Sequence, residues 1–290
     1  MRRLGWWVTF MVLASGPAHA ESDLVISSGR EGGSYHQMGR RIVDKMLVDH
    51  GRSAELRISA GSLENLRQLD DPDSPVNLVF AQADAVDRYL ETHPAFSDEL
   101  AVLGDVGREC VLLVARHGGS LKSVSDLKEA GDRRISLDDA ESGAAVTYGS
   151  MTALEPGFGQ TEPVFVDTLE ALLQLKVGGP LTKIDAVMIV QRPRRFSKPV
   201  QVVLENPEVY QLLAITAADL PNASLPDGSQ VYSFERVVVG AERRALKREL
   251  DTLCMRGLLL GSQAKLDKQL RGQISELMLQ SPKDVVGWDE

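Results

Sequence analysis

The sequence predicts an α/β fold made of two domains. Short apolar runs alternate with segments of helical periodicity along most of the 290 residues, and repeated β-α-β order is typical of a parallel sheet with helices on its faces. The alternation starts again after the apolar run Cys110–Ala115, so two such domains follow each other. A chain of this length is long enough for two cores of ordinary size.

The first series of elements opens with a predicted strand at Leu24–Ile26. Apolar residues then recur at three- and four-residue spacing from Tyr35 to Val48, which predicts a helix, and Gly51 ends it. Further strands are predicted at Leu56–Ser59 and Val76–Ala81, and further helices at Leu63–Leu69 and Ala85–Glu91.

The second series repeats this order. Its predicted strands are Cys110–Ala115, Ile135–Leu137, Val164–Val166, Ala186–Val190 and Leu212–Ile215. Its predicted helices are one that opens at Ser123, then Gly143–Leu154, Thr168–Leu175 and Lys198–Glu205. The apolar run Leu253–Leu260 and a helix over Ala264–Leu279 complete the chain.

The first twenty residues have the pattern of a secretory signal peptide. Arg2 and Arg3 precede an apolar stretch, and Ala18-His19-Ala20 is a small-x-small cleavage pattern, so we expect cleavage after Ala20. A membrane anchor is the alternative, but the apolar stretch is shorter than the ~20 residues that span a bilayer. The mature chain is therefore expected outside the cytoplasm.

Charge and cysteine content narrow the function classes. The formal net charge of −9 becomes −11 without the two arginines of the signal, which argues against a nucleic-acid partner. The two cysteines are too few for a disulfide-built fold and lack metal-ligand spacing.

One glycine-rich loop stands out between the first strand and the first helix, in the stretch SSGREGGSYHQMG. A loop at this place gathers free backbone N–H groups at a helix N-terminus, which favours negative charge. Gly32 and Gly33 would let the backbone approach a ligand, and Ser34 can cap the helix. Neither a dinucleotide fingerprint nor a Gly-Lys-Ser/Thr sequence is present. A purely structural turn is the alternative.

The same device recurs in two more loops. Ser59-Ala60-Gly61-Ser62 and Glu141-Ser142-Gly143-Ala144 also lie between a strand and a helix. If the domains face each other at their strand ends, the three helix N-termini meet at one cleft. Ordinary helix capping by Ser62 or Ser142 is the alternative for each loop.

With these loops, the chain resembles the extracytoplasmic solute receptors of the TAXI class, which serve TRAP-type transporters in bacteria. The resemblance covers most of Val25 to Leu220 and is carried by the stretches ISSGREGGSYHQMGRRI, SAGSLENLRQL, VFAQADA, SLKSVSDLKEAGDRRISLDDAESGA and DAVMIVQRP. It implies a type II periplasmic-binding-protein fold, with two lobes joined by crossover strands around a carboxylate-bearing solute. The expected boundaries are 21–112 plus 250–290 for lobe I and 113–249 for lobe II.

The predicted ligand-binding set combines residues that the resemblance implies with residues of the glycine loop, Gly32 and Ser34, and of the segment after the DAVMIV strand, Gln191 and Arg192. The predicted set is Gly32, Gly33, Ser34, Tyr35, Ser62, Gln82 and Asp84 from the first lobe, and Ser142, Gly143, Ala144, Gln191 and Arg192 from the second. Tyr35 is expected to pack on the apolar part of the ligand. Arg192 follows the DAVMIV strand and is placed at the cleft, with a surface docking patch as the alternative, whereas Arg194 and Arg195 are assigned to solvent.

A disulfide between Cys110 and Cys254 follows from the same analogy. Cys110 begins the strand that leaves the first lobe, and Cys254 lies in the run that returns to it. If those strands lie side by side, the Cα atoms fall within the ~4.4–6.8 Å that a disulfide requires. Two buried free thiols are the alternative.

Catalytic and metal-binding patterns are missing from the sequence. The four histidines after the signal are scattered without a His-x-His or His-x-x-x-His pair, and no Gly-x-Ser-x-Gly elbow is present. We therefore expect no enzyme, metal or cofactor. The predicted function is a monomeric periplasmic receptor that delivers a small anionic metabolite to a TRAP-type permease. A ligand-sensing or scaffolding protein with a membrane partner is the alternative.

Overall fold

The computed structural model describes residues 23–178, 183–220, 230–240 and 245–287. The predicted signal peptide and its cleavage site lie outside these residues. Among the helices of the described ranges, none has the length and apolar character needed to cross a membrane.

Strands and helices alternate as predicted. The strands are β1 Leu24–Gly29, β2 Ala54–Ile58, β3 Leu78–Gln82, β4 Leu100–Arg116, β5 Arg134–Ser136, β6 Glu162–Val164, β7 Ala186–Gln191, β8 Tyr210–Leu213, β9 Tyr232–Val239 and β10 Arg248–Ser262. The helices are α1 Ser34–His50, α2 Ser62–Asp70, α3 Ala83–Thr92, α4 Gly143–Leu154, α5 Thr168–Val177, α6 Lys198–Glu205, α7 Lys268–Gln280 and α8 Pro282–Val286.

The strands form one sheet with two parallel ends. Its order is β2-β1-β3-β10-β4-β7-β5-β6, with β8 added to β4 and β9 added to β10. Strands β1, β2 and β3 are parallel to one another, as are β5, β6 and β7, whereas β10 and β4 run antiparallel between the two groups. We call the part around β1–β3 the first lobe and the part around β5–β7 the second lobe. The predicted two-lobed α/β fold with crossover strands is confirmed, and the exact lobe boundaries stay a prediction.

The crossover strands are joined by the predicted disulfide. Cys110 of β4 and Cys254 of β10 stand directly opposite each other in the antiparallel register and form a bridge with their Cα atoms 4.0 Å apart. This separation is slightly below the ~4.4–6.8 Å expected for a disulfide. Both cysteines are fully buried. The bridge therefore ties the two connections between the lobes at their midpoint.

The lobes share part of their hydrophobic core. One buried apolar cluster combines Ala83 and Val86 of α3 with Ala144 and Val146 of α4. Separate clusters lie under α1 and α7 in the first lobe and under α5 and α6 in the second. Helices α3 and α4 therefore bring the two lobes into contact.

Several elements differ from the sequence-based prediction, among them helix α8, which was not predicted. The helix expected after Ser123 is a single 3-10 turn, Val124–Lys128, held by a capping box between Ser123 and Asp126. Strand β4 begins ten residues before Cys110, because its more exposed first half is paired with β10. Strand β9 was not predicted, and it forms because it pairs with the amino-terminal half of β10.

Candidate functional site

The glycine loop of the first lobe is held by an arginine from the second. Arg195 donates from Nη1 to Ser34 Oγ and from Nη2 to the carbonyl oxygen of Gly32, both at 2.8 Å. Assigning Arg195 to solvent was therefore wrong, because the chain after β7 turns this side chain back across the lobe interface, while Arg194 is exposed as expected. Ser34 does not cap helix α1 either: the N-cap is Gly33, which has no side chain, and the Ser34 hydroxyl accepts from Arg195.

Gln191 and Arg192, just before Arg195, fix the chain that follows strand β7. Gln191 accepts a hydrogen bond from Ser197 Oγ at 2.6 Å and donates to the carbonyl oxygen of Arg195 at 2.7 Å. Arg192 also crosses between the lobes, but its Nη1 donates to the carbonyl oxygen of Val286 in α8, at 2.6 Å. Gln191 thus shapes the turn that carries Arg195, and Arg192 contacts helix α8 of the first lobe.

A buried carboxylate lies below the loop. Glu109, on β4 beside the disulfide, accepts a hydrogen bond from the Tyr35 hydroxyl at 3.1 Å. The Tyr35 ring stacks on Phe80 with 5.3 Å between centroids. Tyr35 was expected to pack on a ligand, and in the structure its ring covers Phe80 while its hydroxyl reaches the carboxylate.

Burial raises the pKa values of both Tyr35 and Glu109. It raises the pKa of Glu109 to about 7, while hydrogen bonds from Tyr35 and Gln82 and the charge of Arg195 act in the opposite direction. Burial, followed by the charge of Glu109, raises the pKa of Tyr35 well above its usual value. Tyr35 therefore keeps its proton near neutral pH, and Glu109 exchanges its proton there.

A second buried carboxylate ties α3 to the second lobe. Asp84 Oδ2 accepts from Thr147 Oγ1 of α4 at 2.7 Å and from the Tyr232 hydroxyl of β9 at 3.0 Å. Its Oδ1 accepts from the backbone N–H of Ala85 at 2.9 Å. Burial raises the pKa of Asp84, and these hydrogen bonds oppose the shift.

The loops around Gly61 and Gly143 each pack closely against the opposite lobe. A Cβ atom at Gly61, whose φ is +156°, would lie 2.7 Å from the carbonyl oxygen of Glu141, and one at Gly143 would lie 2.7 Å from Gln82 Oε1. At Gly61 only glycine permits this approach, because the atom in the way belongs to the backbone and φ is positive. The three predicted loops are thus brought together across the lobe interface.

The two serines of these loops have different roles. Ser142 caps α4 by accepting from the backbone N–H of Ala145 at 3.1 Å, so ordinary capping applies there. Ser62 does not cap α2, and its hydroxyl accepts from the backbone N–H of Gln82 at 3.1 Å. Ala144, next to Ser142, is buried in the first turn of α4.

Ion pairs close the rim of the interface. Arg30 pairs with Asp138, at 2.6 Å, and with Asp139, and Arg67 pairs with Glu141 at 2.6 Å. Asp138 has a φ of +69°, an unusual conformation for a residue with a side chain. The first lobe therefore contributes arginines to the rim, and the second lobe contributes carboxylates.

Three polar features belong to the interface between the lobes. They are a carboxylate that titrates near neutrality, an arginine and the N-terminal backbone of α4. No group of three histidine, cysteine or acidic side chains that could hold a metal ion is found in the part of the chain that the structure describes. Sequence reasoning missed Glu109, Thr147, Arg195 and Tyr232. Glu109 alone gave a signal, as a charged residue directly before a buried strand.

No protein family matches the sequence of this chain, and no curated protein does. In fold, the chain is similar to the periplasmic sulfonate-binding protein SsuA of a putative sulfonate ABC transporter from Methylobacillus flagellatus, with 13% identity, 92% of this chain and 69% of that chain covered, and a TM-score of 0.53.

Two further solved structures are similar at a TM-score of 0.50. The periplasmic aliphatic sulphonate binding protein SsuA from Escherichia coli is 12% identical, with 91% of this chain and 72% of that chain covered. A Xanthomonas citri protein bound to chloride is 14% identical, with 89% of this chain and 83% of that chain covered. At these identities the similarity shows the fold, which is the two-lobed fold of periplasmic binding proteins.

Proposed function

We propose that the chain is a periplasmic solute-binding protein whose two lobes close over a small anionic metabolite. The proposal rests chiefly on the position of Arg195, which extends from the second lobe over the glycine loop of the first, next to Glu109. Lobes joined by two crossover strands can hinge, and a ligand that contacts both lobes shifts the open–closed equilibrium toward closure.

In this proposal, Arg195 and the N-terminus of α4 hold the anionic group of the ligand. A guanidinium pairs with a carboxylate through two parallel hydrogen bonds, and the helix N-terminus adds a favourable partial charge. A ligand carboxylate beside Glu109 would raise the pKa of Glu109 further, because like charges disfavour ionisation. Glu109 would then take up a proton and donate a hydrogen bond to the ligand.

Delivery to a TRAP-type permease is the transport role that the TAXI resemblance suggests.

A ligand-sensing or scaffolding role is the second candidate, and direct contacts between the lobes favour it. The Arg67–Glu141 ion pair and the Asp84–Thr147 hydrogen bond hold the lobes together through the chain's own side chains. A multi-span permease encoded beside this chain would support transport, and a membrane-bound kinase or cyclase would support sensing.

The test of the binding site is calorimetric titration with carboxylate-bearing metabolites. Arg195→Ala should lower the affinity ten- to a hundredfold, about the effect of losing one charged hydrogen-bond partner in a desolvated site. Arg194→Ala is the matched control, because it removes the same charge from the adjacent, exposed position. Equal affinity of both variants would remove Arg195 from the site.

A further inference from the structure

Helix α5 of the second lobe has an apolar face in contact with solvent. Leu169, Leu173 and Val177 are 40%, 58% and 67% exposed, and Phe165, four residues before Leu169, is 53% exposed. Residues four apart lie on the same side of a helix, so the three helical residues form one stripe. We call these four residues the α5 stripe.

The opposite face of the same helix is already used by the core. Ala171, Leu172 and Leu175 are buried in the apolar cluster of the second lobe. A surface helix with one side in the core normally turns polar side chains outward. Contiguous apolar side chains on a surface mark an interaction site, whereas single ones such as Leu279 are ordinary.

The exposed positions of α5 are arranged symmetrically about Leu173. Along the helix they read Leu169, Glu170, Leu173, Lys176 and Val177, which is apolar, acidic, apolar, basic, apolar. In an antiparallel pair centred on Leu173, Glu170 of one helix lies level with Lys176 of the other. A parallel pair would place Glu170 level with Glu170. The surface is therefore complementary to a copy of itself in the antiparallel direction.

We propose that two copies of the chain associate through the α5 stripe, with their α5 helices antiparallel about a twofold axis at Leu173. Self-complementary patches are what a twofold interface requires. One helix face is smaller than the ~800 Å² per partner of a standard stable interface, so the dimer is weak and dissociates on dilution. The weak dimer replaces the monomer expected from the sequence, and it does not depend on what the cleft binds.

Cysteine cross-linking tests the twofold axis directly. Leu173→Cys places one thiol next to its own copy, so mild oxidation should yield a covalent dimer at concentrations where the association occurs. Leu279→Cys, an 82% exposed position on α7, is the matched control and should stay monomeric. The native cysteines do not interfere, because both are paired and buried. Equal cross-linking of the two variants would overturn the proposal.

Sedimentation equilibrium of charge variants tests the antiparallel direction. Glu170→Lys and Lys176→Glu should each weaken dimerisation several-fold, because each places like charges at the same level. The double variant should restore it, and Leu173→Glu should abolish it. A failure of the double variant to restore dimerisation, or a Leu173→Glu protein that still dimerises, would contradict the proposal. Cross-linking of Leu173→Cys to a different periplasmic protein, without self-dimers, would assign the stripe to that partner instead.

Discussion

The two carboxylates at the lobe interface, Asp84 and Glu109, are both buried, but their surroundings differ. Asp84 accepts hydrogen bonds from two hydroxyls of the second lobe and one backbone N–H. Glu109 accepts from Tyr35 of the first lobe, and burial raises its pKa to about 7, while the charge of Arg195 acts in the opposite direction. A buried polar group with all its partners in place stabilises one arrangement, whereas a group that titrates near neutrality can respond to a ligand or to pH. We therefore propose a structural role for Asp84, instead of the ligand contact predicted from the sequence, and a functional role for Glu109.

The largest expected effect is on stability and concerns Asp84. Asp84→Ala should lower the free energy of unfolding by about 4 kcal/mol, because it leaves the Thr147 and Tyr232 hydroxyls without an acceptor and creates a cavity. Urea unfolding at pH 7 measures this. Asp84→Asn keeps one acceptor oxygen and should cost clearly less. A loss below about 1 kcal/mol for Asp84→Ala would remove the structural role.

The next effect is the pH dependence that Glu109 introduces. Its pKa is about 7 in the folded chain against an ordinary 4.5, so the folded state binds the proton more tightly than the unfolded state. Stability contributed by this group is therefore present below pH 4.5 and is lost as the pH rises to about 7. The loss should be on the order of 3 kcal/mol.

Glu109→Gln removes this titration and is the matching variant. Denaturant titrations from pH 4.5 to 8 should show a steeper decline for the parent than for Glu109→Gln. Parallel curves for the two proteins would show that Glu109 does not titrate in this window.

Much of the fold, but less of the site, could be predicted from the sequence. The β-α-β alternation predicted the lobes because a buried parallel strand must be apolar throughout, and the analogy placed Cys110 and Cys254 on adjacent strands. The partners of Asp84 could not be predicted, because Thr147 lies 63 residues away and Tyr232 148 residues away in the chain. Arg195 was missed for the same reason, since the turn after β7 decides where its side chain points.

A smaller loss of stability is expected when one hydroxyl partner of Asp84 is removed and the packing around the carboxylate is kept. Thr147→Val preserves the side-chain shape and removes one hydrogen bond to the carboxylate, so the free energy of unfolding should fall by about 1–2 kcal/mol. Thr152→Val is a control on the same helix, because its hydroxyl bonds the Tyr148 carbonyl within α4. Equal losses in the two variants would show that the link to Asp84 adds no particular stability.

The smallest effect is expected at the rim. Arg67 and Glu141 are both partly exposed, so Arg67→Ala should cost less than about 1 kcal/mol at low salt and less still at high salt. Urea unfolding at two salt concentrations measures this. A loss as large as that of Thr147→Val would show that the lobes are held at their rim as firmly as in their interior.

Native mass spectrometry of freshly purified, periplasmically expressed protein tests the central claim most directly. We expect the parent and Arg194→Ala to carry the same small anionic molecule and Arg195→Ala to lack it. After the molecule is removed from the parent, adding it back should restore the complex. Retention of the molecule by Arg195→Ala at the level of Arg194→Ala would contradict the proposed site. A parent protein that carries no molecule, and that no carboxylate-bearing metabolite stabilises against heat, would contradict solute binding.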